Sequence, residues 1–295
     1  MMNFALIGVA GYIAPRHIQA INDTGNRVVA AMDVNDSVGI LDRYTQDVAF
    51  YKDFERFEAY VESLIGTDKQ VDYISICSPN HLHLAHIKIG LRLGCNVICE
   101  KPLVLTTDEV SELRDFESKY KKKVYTVLQL RVHESIVALR EKILESNIEK
   151  YDVELQYITS RGPWYHESWK GNAQISGGLT TNIGIHFFDM LVWLFGDVIK
   201  SDLLESTKYM SKGSLELQRA KVNWMLSVDR EYLPDTAVKK NMTTYRSIKI
   251  NNDEVEFSGG FTDLHTRVYE DILQGRGYGV QDAEVSISIV EKLRD

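Results

Sequence analysis

Basic charge is scarce in this chain: 34 lysines and arginines stand against 42 aspartates and glutamates, a formal net charge of −8. A nucleic-acid-binding face needs a basic stripe or patch. Lys121-Lys122-Lys123 is an isolated cluster after a predicted helix, so nucleic acid is not an expected partner. Arginines placed singly can still take an anion. Cysteine is scarcer still. Cys77, Cys95 and Cys99 fall in apolar, strand-like runs, their spacing fits no zinc pattern, and their odd number suits no disulfide framework. The expectation is buried reduced thiols, with no metal site and no disulfide. No apolar run approaches the roughly 18 residues of a membrane span, and no Lys or Arg precedes the apolar stretch 4–14, which argues against a secretion signal. A cytoplasmic protein without a membrane partner is expected. Internal repeats, low-complexity segments and an obvious linker are also missing. With 44% hydrophobic and 26% charged content, 295 residues suffice for two ordinary domains.

What is present begins with a short apolar strand, Phe4-Ala-Leu-Ile, that runs into Gly8-Val-Ala-Gly11-Tyr12-Ile13-Ala14, after which a helical pattern starts. Strand, glycine turn and helix start are the parts of a dinucleotide site, where the backbone must approach a pyrophosphate held at a helix N-terminus. The next strand, Val28-Val-Ala-Ala-Met32, ends in Asp33. An acid there can accept from both ribose hydroxyls of an adenosine and repels a 2′-phosphate, so NAD is favoured over NADP; the same residue could instead cap its own turn. Strand-like and helical patterns then alternate. The strand 71–77 stops at Ser78-Pro79-Asn80 with His81-Leu-His83 at a helix start, and Asn96-Val-Ile-Cys delivers Glu100-Lys101-Pro102. A helix over 107–120 follows, then a strand ending in Gln129-Leu-Arg131. Such alternation predicts a doubly wound parallel sheet of the Rossmann type over residues 1–130, with ligands outside the C-terminal strand ends. Gly8, Asp33, Ser78, Asn80, Lys101 and Gln129 occupy such ends. Loss of solvent lowers the pKa of a lysine at such a mouth, which suits proton transfer or an alkoxide contact.

Residues 131–295 read differently. A helix over 134–144 leads to strand-like segments at 151–159, 219–228 and 247–257, with one strong helix near 181–195 and further helices at 263–273 and 282–293. Consecutive strands with few intervening helices predict an α+β domain with a mostly antiparallel sheet. At 100° per residue, Asn182, His186 and Asp189 share one face of the early helix, His186 as a candidate general base and Asp189 as a possible orienting acceptor. Before it, Arg161, Trp164, Tyr165, Trp169 and Lys170 interleave cations with aromatics, a composition suited to a phosphate or carboxylate and to stacking on a base or sugar. Tyr245-Arg246-Ser247 is a fainter anion candidate.

With these pieces in order, the sequence resembles the glucose-fructose oxidoreductase, inositol dehydrogenase and MocA family. The resemblance is carried by the N-terminal glycine loop, Ser78-Pro-Asn80-x-x-His83, Glu100-Lys101-Pro102 and the histidine-bearing helix. Within it, Gly8 to His17, Thr159-Ser-Arg-Gly, Ser168-Trp-Lys-Gly171, Thr181 to His186 and Gly260 to His265 look like the UDP-N-acetyl-glucosaminuronate 3-dehydrogenases of bacterial surface-polysaccharide (O-antigen) synthesis. The resemblance implies Lys101 and His186 as the catalytic pair. It adds Tyr12, Ile13, His83 and Glu100 to Gly8, Gly11, Asp33, Ser78, Asn80, Lys101 and Gln129 around NAD. For the nucleotide-sugar substrate the candidates are Lys101, Arg131, Arg161, Tyr165, Lys170, Asn182 and His186, with Arg161 and Lys170 read from their cation–aromatic segment as partners of the carboxylate or diphosphate and Trp164, Tyr165 or Trp169 for stacking. The resemblance further implies a downstream aminotransferase and a homo-oligomer, with a tetramer favoured, formed through the C-terminal sheet; NADH either leaves after each turnover or is reoxidised in place by a keto acid such as 2-oxoglutarate, as in some relatives, and the sequence leaves both open. Many relatives carry Asp where this chain has Asn182, which argues against a carboxylate mechanism there. A free polyol or cyclitol is the alternative substrate, and an NAD-bound regulator the alternative class; the latter is disfavoured by the presence of both Lys101 and His186.

Overall fold

The computed structural model describes residues 1–44, 47–255 and 260–294. It separates into two compact units, Met1–Gln129 with Thr262–Ala283, and Leu130–Phe261 with Glu284–Asp295. In the first, β1 (Asn3–Ile7), β2 (Arg27–Met32), β3 (Ala49–Tyr51), β4 (Tyr73–Ile76), β5 (Asn96–Cys99) and β6 (Val124–Thr126) form one sheet in the order β3-β2-β1-β4-β5-β6. All its pairings are parallel. This is the doubly wound order of dinucleotide-binding folds, with the chain reversing direction across the sheet beside β1. β1 is buried at every residue, as expected for a strand covered on both faces. The helices α1 (Ala14–Asp23), α2 (Phe54–Ser63), α3 (His83–Arg92) and α4 (Thr107–Tyr120) connect the strands. The bounds of α4 are those expected, because Thr106 and Glu109 form a reciprocal capping box at its start. The Leu264–Leu273 helix packs against α1 in the same unit.

The second unit carries β7 (Tyr151–Thr159), β8 (Val198–Ser206), β9 (Met210–Leu217), β10 (Ala220–Ser227), β11 (Thr244–Ile250) and β12 (Asp253–Glu254), in the order β12-β11-β7-β10-β9-β8. The sheet is mostly antiparallel as expected, but β7 and β10 run parallel. Three departures from the sequence reading have physical causes. β8 and β9, which pair with each other, were not anticipated, since their residues alternate with lysines, acids and serines rather than with β-branched runs. The single strand expected at 247–257 is a hairpin, β11 turning into β12 through Asn251 and Asn252 at φ 50° and 70°; residues 256–257 lie outside those described. The helix expected from Thr181 begins with a π-helical turn, Thr180–Gly184, before the α-helix Ile185–Phe195.

On β7 the burial alternates, which marks a sheet covered on one face. That face receives the Ile185–Phe195 helix: Phe188 meets Trp224 edge-on at 5.3 Å, and Phe187 lies 4.8 Å from Tyr157. The segment Ala173–Phe195 is long and apolar enough to cross a membrane, but 72% of its apolar window is buried, as in a core helix. The opposite sheet face is polar at Glu154, Gln156, Lys221 and Asn223, whereas Ile199 and Leu204 of β8 are 62% and 69% exposed.

Candidate active site

The glycine turn after β1 is built for close approach. Gly8 sits at φ +86°, and a Cβ there would come within 2.7 Å of the Cys77 carbonyl carbon and the Ser78 nitrogen. Only glycine satisfies both demands. α1 opens at this turn without a side-chain cap and with Pro15 in its first turn, so its N-terminus is available to a pyrophosphate. Gly11 donates its N–H to the Gly8 carbonyl at 3.0 Å, Ile13 stands at the N-cap and Tyr12 is exposed. These residues fit a dinucleotide. Asp33 is buried and caps its own turn: Oδ2 accepts from the Ala10 N–H at 2.9 Å and Oδ1 from the Asn35 N–H at 2.9 Å. Each carboxylate oxygen has a second lone pair, which keeps capacity for ribose hydroxyls.

The ends of β4 and β5 are locked to one another beside Lys101. Ser78 Oγ lies 2.9 Å from His86 Nδ1, and burial lowers that imidazole to about 4. Asn80 is buried. His83 is fully buried, with Nε2 2.9 Å from the Ser78 carbonyl oxygen and Nδ1 2.7 Å from that of Pro102. It is thus a brace between β4 and β5, and burial lowers its pKa. Lys101 itself is half-buried and is joined to Pro102 by a cis peptide bond, and Gln129 is half-buried after β6. Glu100 is buried, its carboxylate receiving His17 and His265 at 2.9 and 3.0 Å. Burial opposes its ionisation, yet those two hydrogen bonds outweigh it and hold the carboxyl well below the usual range. The three ligand-type atoms lie within 4.8 Å of one another, but both imidazole nitrogens converge on the same oxygen at hydrogen-bond distance rather than on a shared centre. Sequence reasoning met His17 and His265 only as the last residues of two resembling segments and gave neither a role.

In the second unit, Asn182 lies in the π-helical turn, so the even 100° spacing expected from Asn182 to His186 is broken there. Gly184 lets this turn settle on the sheet, since a Cβ would meet Leu226 at 2.5 Å. Asn182 donates to the Tyr165 hydroxyl at 2.7 Å, and His186 is half-buried on the first turn of the α-helix. Asp189, expected as an orienting acceptor, gives both oxygens to Arg131: Nε donates to Oδ2 at 3.0 Å and Nη2 to Oδ1 at 2.7 Å, all buried. Arg131, expected at the substrate, is in this way a partner in a buried bidentate pair. Arg246 lies over the Phe261 and Tyr157 rings at 4.4 and 5.5 Å.

A cavity of about 600 Å³ opens beside the π-helical turn, lined by Tyr165, His166, Lys170, Thr180, Lys208 and Arg294 among others, with the hydroxyls of Ser206 and Thr207. Lys170 stands 4.9 Å from the Trp169 ring centroid, so that tryptophan covers the cation. Burial, then the neighbouring Arg161, lowers the Lys170 pKa. Arg161 is exposed. Three cations and several hydroxyls around one cavity can hold a diphosphate or a carboxylate. Lys208 and Arg294 were not foreseen, being lone cations far from any motif.

Residues 2–128 match the family model described as the oxidoreductase family, NAD-binding Rossmann fold, and residues 140–208 match its C-terminal alpha/beta domain. Among solved structures, the chain is 46% identical to the WlbA (WbpB) dehydrogenase from Thermus thermophilus in complex with NAD and UDP-GlcNAcA, at a TM-score of 0.97, covering 100% of this chain and 95% of that one. A structure of the Thermus thermophilus dehydrogenase with NAD and alpha-ketoglutarate is 47% identical at the same TM-score and coverage. Inositol 2-dehydrogenase of Rhizobium meliloti is 28% identical over 199 residues, 66% of this chain and 56% of that enzyme. The match spans 30%, 36% and 57% of the lengths of three other curated relatives.

Proposed function

The chain belongs to the oxidoreductase family that joins an NAD-binding Rossmann domain to a C-terminal α/β domain, and from that premise we propose that it oxidises the C3 hydroxyl of UDP-N-acetyl-glucosaminuronic acid to the 3-keto sugar with NAD. The observation that carries this reading is the full-length similarity, at 46% identity, to a dehydrogenase bound to that nucleotide sugar. The cation-lined cavity supports it independently, because a free polyol would give Lys170, Lys208 and Arg294 no anion to meet.

NAD, when bound, accepts the hydride from C3. The chain's own groups do the rest: His186 takes the proton of the C3 hydroxyl, and the Lys101 ammonium holds the oxygen as it becomes negative, interactions strongest in the transition state. Gly8, Gly11 and the α1 N-terminus receive the pyrophosphate, Asp33 the ribose. Lys170, Lys208 and Arg294 hold the diphosphate or the sugar carboxylate, with the exposed Arg161 as a neighbouring charge to Lys170. Alpha-ketoglutarate (2-oxoglutarate), present in the second Thermus structure, is the oxidant that returns the reduced cofactor to NAD between turnovers. The 3-keto product is suited to an aminotransferase in surface-polysaccharide synthesis, in the cytoplasm. Copies of the chain associate through the exposed Ile199 and Leu204 of β8, which a homo-oligomer, a tetramer by resemblance, would cover.

The test is to incubate the protein with the nucleotide sugar, NAD and 2-oxoglutarate, following NADH absorbance and 2-hydroxyglutarate by mass spectrometry. Hydroxyglutarate formed only with the sugar supports both oxidation and recycling; NADH accumulating without it removes recycling alone. Neither product, with NAD shown to bind, overturns the substrate. In the same assay His186→Asn should lose turnover by about a thousandfold, as for a missing general base.

A further inference from the structure

Behind Lys101 lies a buried hydrogen-bond chain that the reaction above leaves unused. His17 on α1 and His265 on the Leu264–Leu273 helix both reach Oε1 of Glu100, while Oε2 accepts from the Lys101 backbone N–H at 3.2 Å. Nδ1 of His17 is 2.7 Å from the Tyr269 hydroxyl, which is 2.7 Å from that of Ser75 on β4. All five side chains are buried. One proton arrangement satisfies the whole set: Ser75 donates to Tyr269, Tyr269 to His17 Nδ1, and the two Nε2–H groups to an ionised Glu100. It requires a neutral His17, in keeping with burial lowering that imidazole. Cys77, Cys99 and His83 also face Glu100; burial raises both thiols and lowers the imidazole, so Glu100 carries the charge of the cluster.

A buried carboxylate is costly, and an apolar contact would hold α1 against the neighbouring helix without that cost. What the carboxylate adds is a fixed peptide N–H at Lys101 and an anion one residue from its amine. We propose that His17 and His265 are positioning residues for Lys101, acting through Glu100, which they hold ionised and in one orientation so that the lysine leaves the strand end in a set direction as an ammonium. The inference rests on Lys101 being catalytic.

The experiment compares Glu100→Gln, His265→Leu, His265→Gln and Lys101→Met for kcat and KM across pH, for NAD binding by titration, and for thermal midpoint. The Lys101 pKa is read by carbon-13 NMR of its ε-carbon in the protein without substrate. Glu100→Gln should lose roughly a hundredfold in kcat, the scale of a misplaced catalytic group. Its Lys101 pKa should fall, because the ammonium has lost its neighbouring anion. His265→Leu should lose about tenfold in kcat with the sugar KM little changed, and His265→Gln, which restores an N–H donor, should recover most of it. If Glu100→Gln and His265→Leu lower only the thermal midpoint, leaving kcat and the Lys101 pKa as in the parent, while Lys101→Met is inactive, the positioning role is overturned and the network is structural. Full activity in Lys101→Met would instead overturn the reading of Lys101 itself.

Discussion

The polar groups around the glycine turn and Lys101 in the first unit, and those around the cavity in the second, are held in opposite ways. In the first, those around the glycine turn and Lys101 are buried and already partnered: Asp33 by backbone N–H groups, His83 by two carbonyls, Glu100 by two imidazoles. In the second, Lys170, Lys208 and Arg294 line an open cavity whose charged groups find part of their stabilisation on aromatic faces. One half is set before a ligand arrives; the other offers charge and space. A dinucleotide presents the same pyrophosphate and ribose every time, which rewards a rigid cradle. An acidic sugar nucleotide with several rotatable bonds is better met by long cations that can adjust.

The sharpest way to break this contrast is Gly8→Ala. The left-handed φ and the 2.7 Å approach to the Cys77–Ser78 peptide leave the methyl no room, and strain of this kind costs roughly 1–3 kcal/mol. NAD affinity, measured by titration, should fall by about a hundredfold, which is ~2.7 kcal/mol, while uridine diphosphate binding should stay within about twofold. A parallel loss of both would mean that the open half is organised by the rigid one.

A smaller effect is expected from Lys170→Ala, which should raise the nucleotide-sugar KM about tenfold, ~1.4 kcal/mol, with kcat and NAD affinity nearly unchanged. Its pH signature follows from burial and Arg161 lowering the lysine pKa. In the folded protein that cost is borne while the lysine is protonated and is relieved as pH rises through the lowered pKa. A bound anion needs the ammonium, so affinity for uridine diphosphate should weaken through that same window, at lower pH than for an ordinary lysine. Calorimetric titration across pH would show it, and Lys170→Ala should flatten that limb.

Legibility in the sequence divides along the same line. The glycine turn, Asp33, Ser78-Pro79-Asn80 and Glu100-Lys101-Pro102 could be read because each is local: a strand pattern ends, and the next residue must be where it is. The α4 helix was legible to its bounds because Thr106 and Glu109 mark its start in four residues. The Glu100 network was not, since His17 and His265 lie far apart in the chain and meet only through the packing of α1 on a helix near the C-terminus. β8 and β9 escaped for a related reason: their partners, not their composition, make them strands. The π-helical turn at Asn182 breaks the 3.6-residue period on which the helical reading relied, and the cavity gathers Lys208 and Arg294 from segments with no motif.

The smallest test compares a cap in each unit. Thr106 accepts the Glu109 N–H at the head of α4, five residues after Lys101, while Ser168 accepts the Lys170 N–H at a single 3-10 turn, Trp169–Gly171. Thr106→Ala removes a cap worth about 1 kcal/mol, so the thermal midpoint should drop by roughly 2–4 °C. Turnover should hold, because the positioning proposed for Lys101 runs through Glu100 rather than through the helix that follows. Ser168→Ala frees a short turn with no buried residue, so its cost in stability should be smaller, a few tenths of a kcal/mol. Its KM for the sugar should nevertheless rise about twofold, since the turn carries Lys170. Were Thr106→Ala to lower kcat instead, the rigidity of the first unit would lie in its helix caps as much as in its buried polar chain. Were Ser168→Ala to leave KM untouched, the cations of the cavity would be shown to adjust freely, and the contrast between the halves would be sharper than the caps alone suggest.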